Sequence, residues 1–312
     1  MTAELPNDPA LPGLVAIRAS GLAGALPALR LDHEPVQLLM HRYHPGSRAA
    51  IEARAGQRRF AIKLYAEDPS PEVEIHEALA AAGLAGDTGV RVPPLLAWDR
   101  ALQVMVIGWL DGPSVAQMIQ AGQGERAGAV AASWFRRAAS LRISLGPSLG
   151  VARMLKRTRK WAAAVAEADP ELQQAANEVA ARLMGTQPVE GAPRFVHGGL
   201  YADHILDLGD GPGVIDWGRF GQGPLELDAG ILLATMWRLG FRDGAPVDEA
   251  ARAEKKFLKE TEGLLDPRTL TWFRAAVLLR FAKKADAQTG EWPEEARHTL
   301  LKEAAMLLQS IP

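Results

Sequence analysis

The segment 193–230 constrains this chain more than any other, because it alternates short apolar runs with glycine-rich turns. An apolar strand is predicted to run directly into His197 and two glycines. Two further apolar runs, at 205–208 and 214–215, flank a Gly-Asp-Gly-Pro-Gly turn and predict a hairpin that ends on Asp216. Polar groups that irregular backbone presents at the ends of packed strands are typical of a metal–phosphate site.

This segment resembles the catalytic and metal-binding loops of the aminoglycoside phosphotransferase and choline kinase superfamily, relatives of the protein kinases. Members of that superfamily carry H-G-D-L-x-x-x-N, then a hairpin, I-D-W or I-D-F, and G-D-P-x-x-D. The chain has HGGLYADH at 197–204, IDW at 215–217 and GPLELD at 223–228. Because His204 stands in place of the family asparagine, the first motif is similar to that of bacterial lipopolysaccharide-core sugar kinases.

The resemblance implies a two-lobed α+β fold of the protein-kinase type. It predicts a small antiparallel-sheet lobe at 14–108, and a larger, mainly helical lobe at 109–312. It also implies that ATP and Mg²⁺ are the cofactors and that the site lies in the cleft between the lobes. The phosphate acceptor would be the hydroxyl of a small molecule or sugar.

The first motif departs from the family at its catalytic residue. Gly199 stands where the family has the aspartate that orients or accepts the proton of the attacking hydroxyl. By the resemblance, Asp216 is the Mg²⁺ ligand, and His204 is a second ligand or a brace for the loop, although Mg²⁺ prefers oxygen to imidazole nitrogen. His197 is predicted to hold the loop in place, and Asp203 is the candidate substitute for the missing base.

The predicted first lobe opens with three β-like runs, at 36–43, 48–54 and 60–65. By the resemblance, Lys63 in the third run holds the α- and β-phosphates and pairs with a glutamate on the next helix. The alternative is a surface lysine on an edge strand. Glu72, in the first turn of a helix predicted at 72–82, is the candidate partner, with Glu77 as runner-up. The alternative role for Glu72 is a favourable interaction with the helix dipole, without an ion pair.

Two further parts of the first lobe are predicted to contact the nucleotide. The backbone amides of Gly46 and Ser47, in the turn between the first two runs, can reach a phosphate. A hinge is predicted at the end of the fifth strand, where the family binds adenine through backbone atoms, and we assign Ile107 and Trp109 to it. Asp111 is either a ribose ligand or, preferably, the cap of the next helix.

The remainder of the chain is predicted to be helical after residue 113, apart from the central segment, whereas residues 1–13 are predicted to form a loose tail. The predicted helical ranges are 127–185, split at Gly146-Pro147, then 225–239, 249–265, 267–284 and 293–308. A basic cluster in the first range has two interpretations, a site for an anionic substrate or, preferably, a solvated helix face, because acids follow it. Its members are Arg153, Lys156, Arg157, Arg159 and Lys160.

The composition excludes several other classes of function. A formal net charge of −2 gives no reason to expect binding to nucleic acid or to an anionic membrane. The chain has no cysteine, which excludes disulfides and thiolate metal sites and is consistent with a cytoplasmic location. The N-terminal residues lack a signal-peptide pattern, and no uncharged apolar run predicts a membrane span. Nothing in the sequence indicates an oligomeric state.

The leading interpretation is an ATP-dependent phosphotransferase for a small-molecule or sugar hydroxyl, with Gly199 in place of the catalytic aspartate. Phosphoryl transfer depends mainly on positioning and charge neutralisation, so loss of the base predicts slow activity, reduced by about 10²–10⁴. The alternative is a pseudokinase, a nucleotide-binding or regulatory module that transfers nothing. Adenylyl transfer on the same scaffold is a third interpretation.

Overall fold

The computed structural model describes residues 5–31, 35–242, 247–285 and 295–311. The contacts within the chain divide it into two compact units, Met1–Asp111 and Gly112–Pro312. The sequence placed this division three residues earlier, after residue 108. The first unit carries the main sheet and the second is mainly helical, so the predicted α+β class is confirmed.

The first unit is built around a five-stranded antiparallel sheet with strand order β1-β2-β3-β5-β4. Its elements are α1 Pro12–Ala25, β1 Val36–His44, β2 Arg48–Ala55, β3 Arg58–Tyr65, α2 Ser70–Ala81, β4 Leu95–Asp99 and β5 Val104–Gly108. Side chains alternate across β3, so Phe60, Ile62 and Leu64 are buried in the core that α1 also joins. Lys63 therefore lies on the opposite face of the sheet.

Residues 5–11 include side chains packed into the first unit, so this described part of the predicted loose tail is not loose. Leu11 is fully buried and Asp8 is 7% exposed. The Asp8 carboxylate accepts hydrogen bonds from the Tyr43 hydroxyl at 3.0 Å and from the Gly46 backbone amide at 2.8 Å. The sequence prediction was wrong because these partners lie more than 30 residues further along the chain, where no local pattern reveals them.

One segment of the described residues, Pro12–Leu29, is long and apolar enough to pass a test for a membrane-spanning helix. This is weak evidence, because core helices and signal sequences pass the same test. The segment is not one continuous helix in the structure: Gly21 has a non-helical backbone (φ 69°, ψ 172°), and α1 ends at Ala25. Leu14, Ile17 and other apolar side chains of the segment belong to the core of the first unit.

The second unit consists mainly of helices. They are α3 Val115–Gln120, α4 Gly124–Ala138, α5 Val151–Ala168, α6 Gln173–Gly185, α7 Leu225–Arg242, α8 Val247–Glu260, α9 Pro267–Lys284 and α10 Ala296–Gln309. The segment predicted as one helix up to residue 185 is interrupted at Asp169, where a short 3₁₀ turn, Pro170–Leu172, separates α5 from α6. The predicted start of the last helix, Pro293, lies outside the described residues.

Two small antiparallel ladders in the second unit fix the loops of the central segment. β6 Arg194–Val196 pairs with β9 Gly221–Gly223, and β7 Ile205–Asp207 pairs with β8 Pro212–Val214. The loop 197–204 therefore connects the two ladders, and the loop 215–220 connects them again in the return direction. Because both loops begin and end on paired strands, they are held close together at the ends of the two ladders.

Candidate functional site

In the first unit, β3 and α2 bring Lys63 to Glu72. Lys63 Nζ donates a hydrogen bond to Glu72 Oε1, and the Tyr65 hydroxyl donates to Glu72 Oε2 at 2.8 Å. The two charged side chains are 17% and 11% exposed. Glu72, rather than Glu77, is therefore the partner of Lys63. A lysine ammonium has three donors, so Lys63 can keep this ion pair and still bind an anion.

The turn between β1 and β2 uses both of its predicted phosphate-binding amides within the first unit. The Gly46 amide donates to the Asp8 carboxylate at 2.8 Å, and the Ser47 amide donates to the His44 carbonyl at 3.1 Å. A phosphate at this turn would have to displace both hydrogen bonds. The predicted phosphate contact of Gly46 and Ser47 stays a prediction, and a phosphate there would compete with the Asp8 carboxylate and the His44 carbonyl.

The predicted hinge residues lie at the end of β5. Ile107 is 5% exposed and pairs with Ala61 of β3, so its backbone belongs to the sheet. Trp109 follows β5, and the Arg59 guanidinium carbon lies 4.0 Å from its ring centroid, a cation–π contact. The adenine contact of Ile107 and Trp109 stays a prediction.

Asp111 pairs with Arg59 and does not cap the next helix. The cap of α3 is Ser114, whose hydroxyl accepts from the Gln117 amide at 3.2 Å while the Gln117 side chain accepts from the Ser114 amide at 2.8 Å. The preferred sequence interpretation of Asp111 was therefore wrong. Ser114 forms a complete capping box with Gln117, and Asp111 is attracted by an arginine 52 residues away.

A buried carboxylate on β2, Glu52, was missed by the sequence analysis. Glu52 is 2% exposed and accepts hydrogen bonds from Arg59 at 2.7 Å, His41 at 2.7 Å and Arg54 at 2.5 Å. The bond from Arg59 is the largest cause that lowers the pKa of Glu52 to about 2, against burial, which raises it. Arg59 thus links Glu52 to Trp109 and stiffens the end of the sheet that carries the predicted hinge.

In the second unit, Asp228 holds the start of the loop 197–204. From the first turn of α7, its carboxylate accepts from the His197 amide at 2.6 Å and from the Gly198 amide at 2.8 Å. His197 is 1% exposed, and its Nε2 donates to the Ile215 carbonyl at 2.9 Å. These bonds tie the first loop both to α7 and to the second loop, which is the kind of bracing that the resemblance implied for His197.

The free energy of unfolding should depend on pH through the protonation of Asp228. Burial raises the pKa of Asp228 to about 7, although its two amide donors act to lower it. Between pH 4 and pH 7 the folded chain therefore holds a proton that the unfolded chain has released, so stability falls as pH rises through this window. Asp228→Asn removes the titrating group. Between pH 5 and pH 7 we therefore expect this variant to lose less unfolding free energy than the wild type, by an amount on the order of 1 kcal/mol.

Urea unfolding at pH 5, 6 and 7, followed by circular dichroism, measures this difference. The control is Asp203→Asn, which changes an exposed carboxylate of the same loop. Parallel stability curves for the wild type and Asp228→Asn would contradict the assignment.

Asp216 and His204 meet where the two loops of the second unit converge. His204 Nε2 lies 3.4 Å from Asp216 Oδ2, and the two side chains are 17% and 51% exposed. Burial lowers the pKa of His204, and the charge of Asp216 partly opposes this effect. Asp216 has a left-handed backbone (φ 67°), which is uncommon for a residue other than glycine and turns the chain sharply after β8.

These donors fit Mg²⁺ only in part. Mg²⁺ is commonly held by one or two carboxylates together with substrate phosphates, so the half-exposed carboxylate of Asp216 is a suitable ligand. Imidazole nitrogen is a poor ligand for this hard ion, and His204 is better placed to orient Asp216. Among the described residues, no group of three or more His, Cys, Asp or Glu side chains could form a complete protein site for a metal.

Arg219, not a carboxylate, occupies the space beside Gly199. A Cβ atom added at Gly199 would lie 3.1 Å from Arg219 Cδ. Asp203 is exposed on the short 3₁₀ turn 202–204, and its charge acts to raise the pKa of His204 against burial. Its role as a substitute base stays a prediction, because no contact among the described residues directs it toward a reacting group.

The sequence analysis also missed the cationic surroundings of this loop. Arg280 of α9 donates a hydrogen bond to the Tyr201 hydroxyl, two residues after Gly199. The charges of Arg219 and Arg280 both act on Arg157 and Lys284. Of these cations, only Arg157 belongs to the basic cluster that the sequence singled out, and the others come from segments distant in the chain.

Comparison with known proteins identifies the family of the chain. Residues 47–270 match the sequence model of the phosphotransferase enzyme family. No curated protein sequence matches the chain significantly. A search of solved structures finds many similar folds, and three of them illustrate the range.

The first is a protein from Ralstonia eutropha thought to be an aminoglycoside phosphotransferase (17% identity, 89% of this chain and 94% of that chain, TM-score 0.63). The second is a choline/ethanolamine kinase family protein from Mesorhizobium loti (16% identity, 87% and 88%, TM-score 0.55). The third is a spectinomycin phosphotransferase in complex with ADP and spectinomycin (13% identity, 88% and 92%, TM-score 0.57).

At these identities the solved structures establish the fold alone, and that fold is kinase-like. The match of residues 47–270 to the phosphotransferase enzyme family model confirms the suspected family resemblance. The match to the family model extends over more than half of the chain and includes β3, α2 and both loops of the second unit. The chain belongs to the phosphotransferase enzyme family.

Proposed function

We propose that this protein transfers the γ-phosphoryl group of ATP to a hydroxyl group of a small molecule. The observation that carries the proposal is the ion pair between Lys63 and Glu72. In kinases, a β3 lysine paired with a helical glutamate binds the nucleotide phosphates, and the pair must be formed for activity. Here it is formed, partly buried and further fixed by the Tyr65 hydroxyl.

Each of the following residues has a distinct task in the proposed reaction. Lys63 binds phosphate oxygens of ATP, and Asp216 provides the carboxylate ligand for Mg²⁺, which neutralises phosphate charge when bound. His204 orients the Asp216 carboxylate from 3.4 Å. Asp228 holds the amides of His197 and Gly198, and so fixes the loop along which the acceptor binds.

The transfer step requires no covalent intermediate. The acceptor hydroxyl oxygen forms a bond to the γ-phosphorus while the bond from that phosphorus to the β,γ-bridging oxygen breaks, and ADP leaves. The hydroxyl proton passes to water, because Gly199 provides no carboxylate to accept it. Positioning and charge neutralisation supply most of the rate enhancement in this chemistry, so the enzyme should stay active without a base. Because the base is missing, its rate should be low.

A pseudokinase is the second candidate, and one observation favours it. The position of the family's catalytic aspartate holds a glycine, and an arginine side chain lies against it. A protein of this kind would bind ATP through Lys63 and release no ADP.

Replacing Lys63 with alanine tests the proposal. A charge-assisted hydrogen bond to phosphate contributes about 1.5–3 kcal/mol, so the affinity for Mg-ATP should fall at least tenfold. Isothermal titration calorimetry with Mg-ATP measures this loss directly. Glu77→Ala is the matched control, because Glu77 is an exposed acid of α2 that lies outside the Lys63–Glu72 ion pair, and it should leave the affinity unchanged.

A coupled assay of ADP release then separates the two candidates. ADP formation that Asp216→Ala removes supports the phosphotransferase. Binding of Mg-ATP without ADP formation, under a broad set of hydroxyl acceptors, supports the pseudokinase. Equal affinity of the wild type and Lys63→Ala for Mg-ATP would contradict the assignment of Lys63 in both candidates.

A further inference from the structure

Two arginines contact the loop 197–204 of the second unit, their charges act on two further cationic side chains, and we name the four the cationic cluster. They are Arg157 of α5, Arg219 of the loop after Asp216, and Arg280 and Lys284 of α9. The loop itself fixes two members of the cluster. Arg280 donates a hydrogen bond to the Tyr201 hydroxyl, and Arg219 lies against Gly199.

The members of the cluster are close enough to repel one another. Burial lowers the pKa of Arg280, and the charge of Arg219 lowers it further, whereas Tyr201 acts to raise it. Burial also lowers the pKa of Lys284, with additional contributions from Arg280 and Arg219. The same two arginines act on Arg157, whose pKa is lowered first by burial and then by Arg153. The cluster is therefore one electrostatic unit drawn from three segments.

No carboxylate neutralises the cluster within the described part of the chain. None of its four members lies within 4.0 Å of an Asp or Glu oxygen there, although Arg274, also on α9, pairs with Glu254 at 2.5 Å. Asp216 and Asp203 act instead on His204. The whole chain has a formal net charge of −2, so this concentration of positive charge is local and does not reflect a basic protein. Such an arrangement costs stability unless an anion binds there.

Tyr201 connects the cluster to the proposed site. Its ring contacts the His204 ring edge-on at a centroid distance of 5.1 Å, and His204 in turn contacts Asp216. Its hydroxyl holds Arg280, whose guanidinium carbon lies 5.8 Å from the Tyr201 ring centroid. An anion bound by Arg280 and Arg219 would therefore lie next to Gly199, where the family's attacking hydroxyl is activated.

We propose that the acceptor of this phosphotransferase already carries a phosphate group, as in a sugar monophosphate, and that the cationic cluster binds that group. The inference rests on the proposed function. A phosphate monoester carries a charge of about −1.5 to −2 at pH 7, and a guanidinium binds it through two parallel hydrogen bonds. The acceptor's free hydroxyl then receives the γ-phosphoryl group, so the product carries two phosphates. A cationic acceptor would be repelled.

The binding test uses inorganic phosphate as the probe and the full chain without nucleotide. Isothermal titration calorimetry at constant ionic strength should show phosphate binding that Arg280→Gln weakens at least tenfold. Because Arg280 is partly buried and the variant could unfold, the double variant Arg157→Gln/Lys284→Gln, which changes two exposed side chains, is measured as well and should show a comparable loss. Arg159→Gln is the matched control, because this exposed arginine of α5 contacts Met184 instead of the cluster.

Two outcomes of the binding test would overturn the proposal. One is phosphate binding that is absent or equal in all variants. The other is competition between inorganic phosphate and Mg-ATP, because the cluster would then belong to the nucleotide phosphates. Unchanged Mg-ATP affinity in the cluster variants, measured in parallel, excludes this second outcome.

An acceptor test separates failure of this proposal from failure of the proposed function. ADP release is measured with sugar monophosphates and, in parallel, with the parent sugars, the corresponding sugar acids, and choline. Faster ADP release with a monophosphate, lost in the cluster variants, is the expected result. ADP release with a parent sugar, a sugar acid or choline alone overturns the assignment of a phosphorylated acceptor and leaves the phosphotransferase intact. ADP release with none of them counts against the phosphotransferase, whereas phosphate binding would still establish the anion site.

Discussion

Glu52→Gln is expected to lower the free energy of unfolding by about 3 kcal/mol at pH 7. The buried carboxylate accepts hydrogen bonds from Arg59, His41 and Arg54, and together they lower its pKa from 4.5 to about 2. Glutamine keeps the shape of the side chain but loses the charge and turns an amide donor toward cationic donors. The expected loss lies at the lower end of the range for a broken buried ion pair, because Arg54 and His41 are about half exposed.

The pH dependence of this effect has a definite sign. A carboxylate whose pKa is lowered on folding contributes stability that is present above about pH 4.5 and lost as pH falls toward 2. The difference between the wild type and Glu52→Gln in urea unfolding should therefore shrink below pH 4. Glu74→Gln, an exposed position on α2, is the control and should change stability by less than about 0.5 kcal/mol. If Glu52→Gln lowered the free energy of unfolding as little as the control does, the hydrogen bonds to Glu52 would not have the stabilising role assigned to them.

Gly199→Asp is expected to raise the rate of ADP formation by about 10²–10⁴, the usual contribution of a general base. The backbone accepts this change, because Gly199 does not have the left-handed conformation of Gly198 (φ 72°), where an added Cβ would lie 2.2 Å from the Arg219 carbonyl oxygen. At Gly199 the nearest atom is Arg219 Cδ at 3.1 Å, and this exposed, flexible side chain can move by the few tenths of an ångström that are needed.

Gly199→Asn separates the base from the added bulk. It has nearly the same shape as Gly199→Asp but cannot accept the hydroxyl proton as a carboxylate does, so its rate should stay near that of the wild type. The comparison uses kcat at saturating Mg-ATP, with Mg-ATP affinity as a check that the site is intact. Equal rates for both variants, with intact affinity, would show that the loop does not direct this side chain toward the acceptor.

Much of the first unit could be predicted from the sequence, because its signals are local. Alternating apolar residues and the glycine turns placed β2 at 48–54, where the structure has Arg48–Ala55, and placed β3 at 60–65, where the structure has Arg58–Tyr65. The family resemblance implied the ion pair of Lys63 and Glu72, and its two residues lie within one strand–helix unit, so no distant contact was needed to identify them. Patterns of this kind determine which residues of a strand or helix face inward.

What the sequence could not predict depends on contacts between distant segments. Arg157, Arg219 and Arg280 become neighbours only when α5, α9 and the loop after Asp216 pack together, and each alone resembles an ordinary surface arginine. Glu52 was missed for the same reason, because an isolated glutamate in a strand gives no sign that two arginines and a histidine will surround it. The substitution at Gly199 was visible at once, but the arginine that lies against it was not.

The hydrogen bond from the Gly46 amide to Asp8 has a consequence for ligands of the β1–β2 turn. Any external anion that approaches this amide must compete with a carboxylate of the same chain. A tethered competitor acts at an effective concentration in the millimolar range or above, whatever the amount of protein in solution. Anions that bind the turn only weakly will therefore not displace the Asp8 carboxylate. Only an anion with a higher affinity can occupy this edge of the sheet.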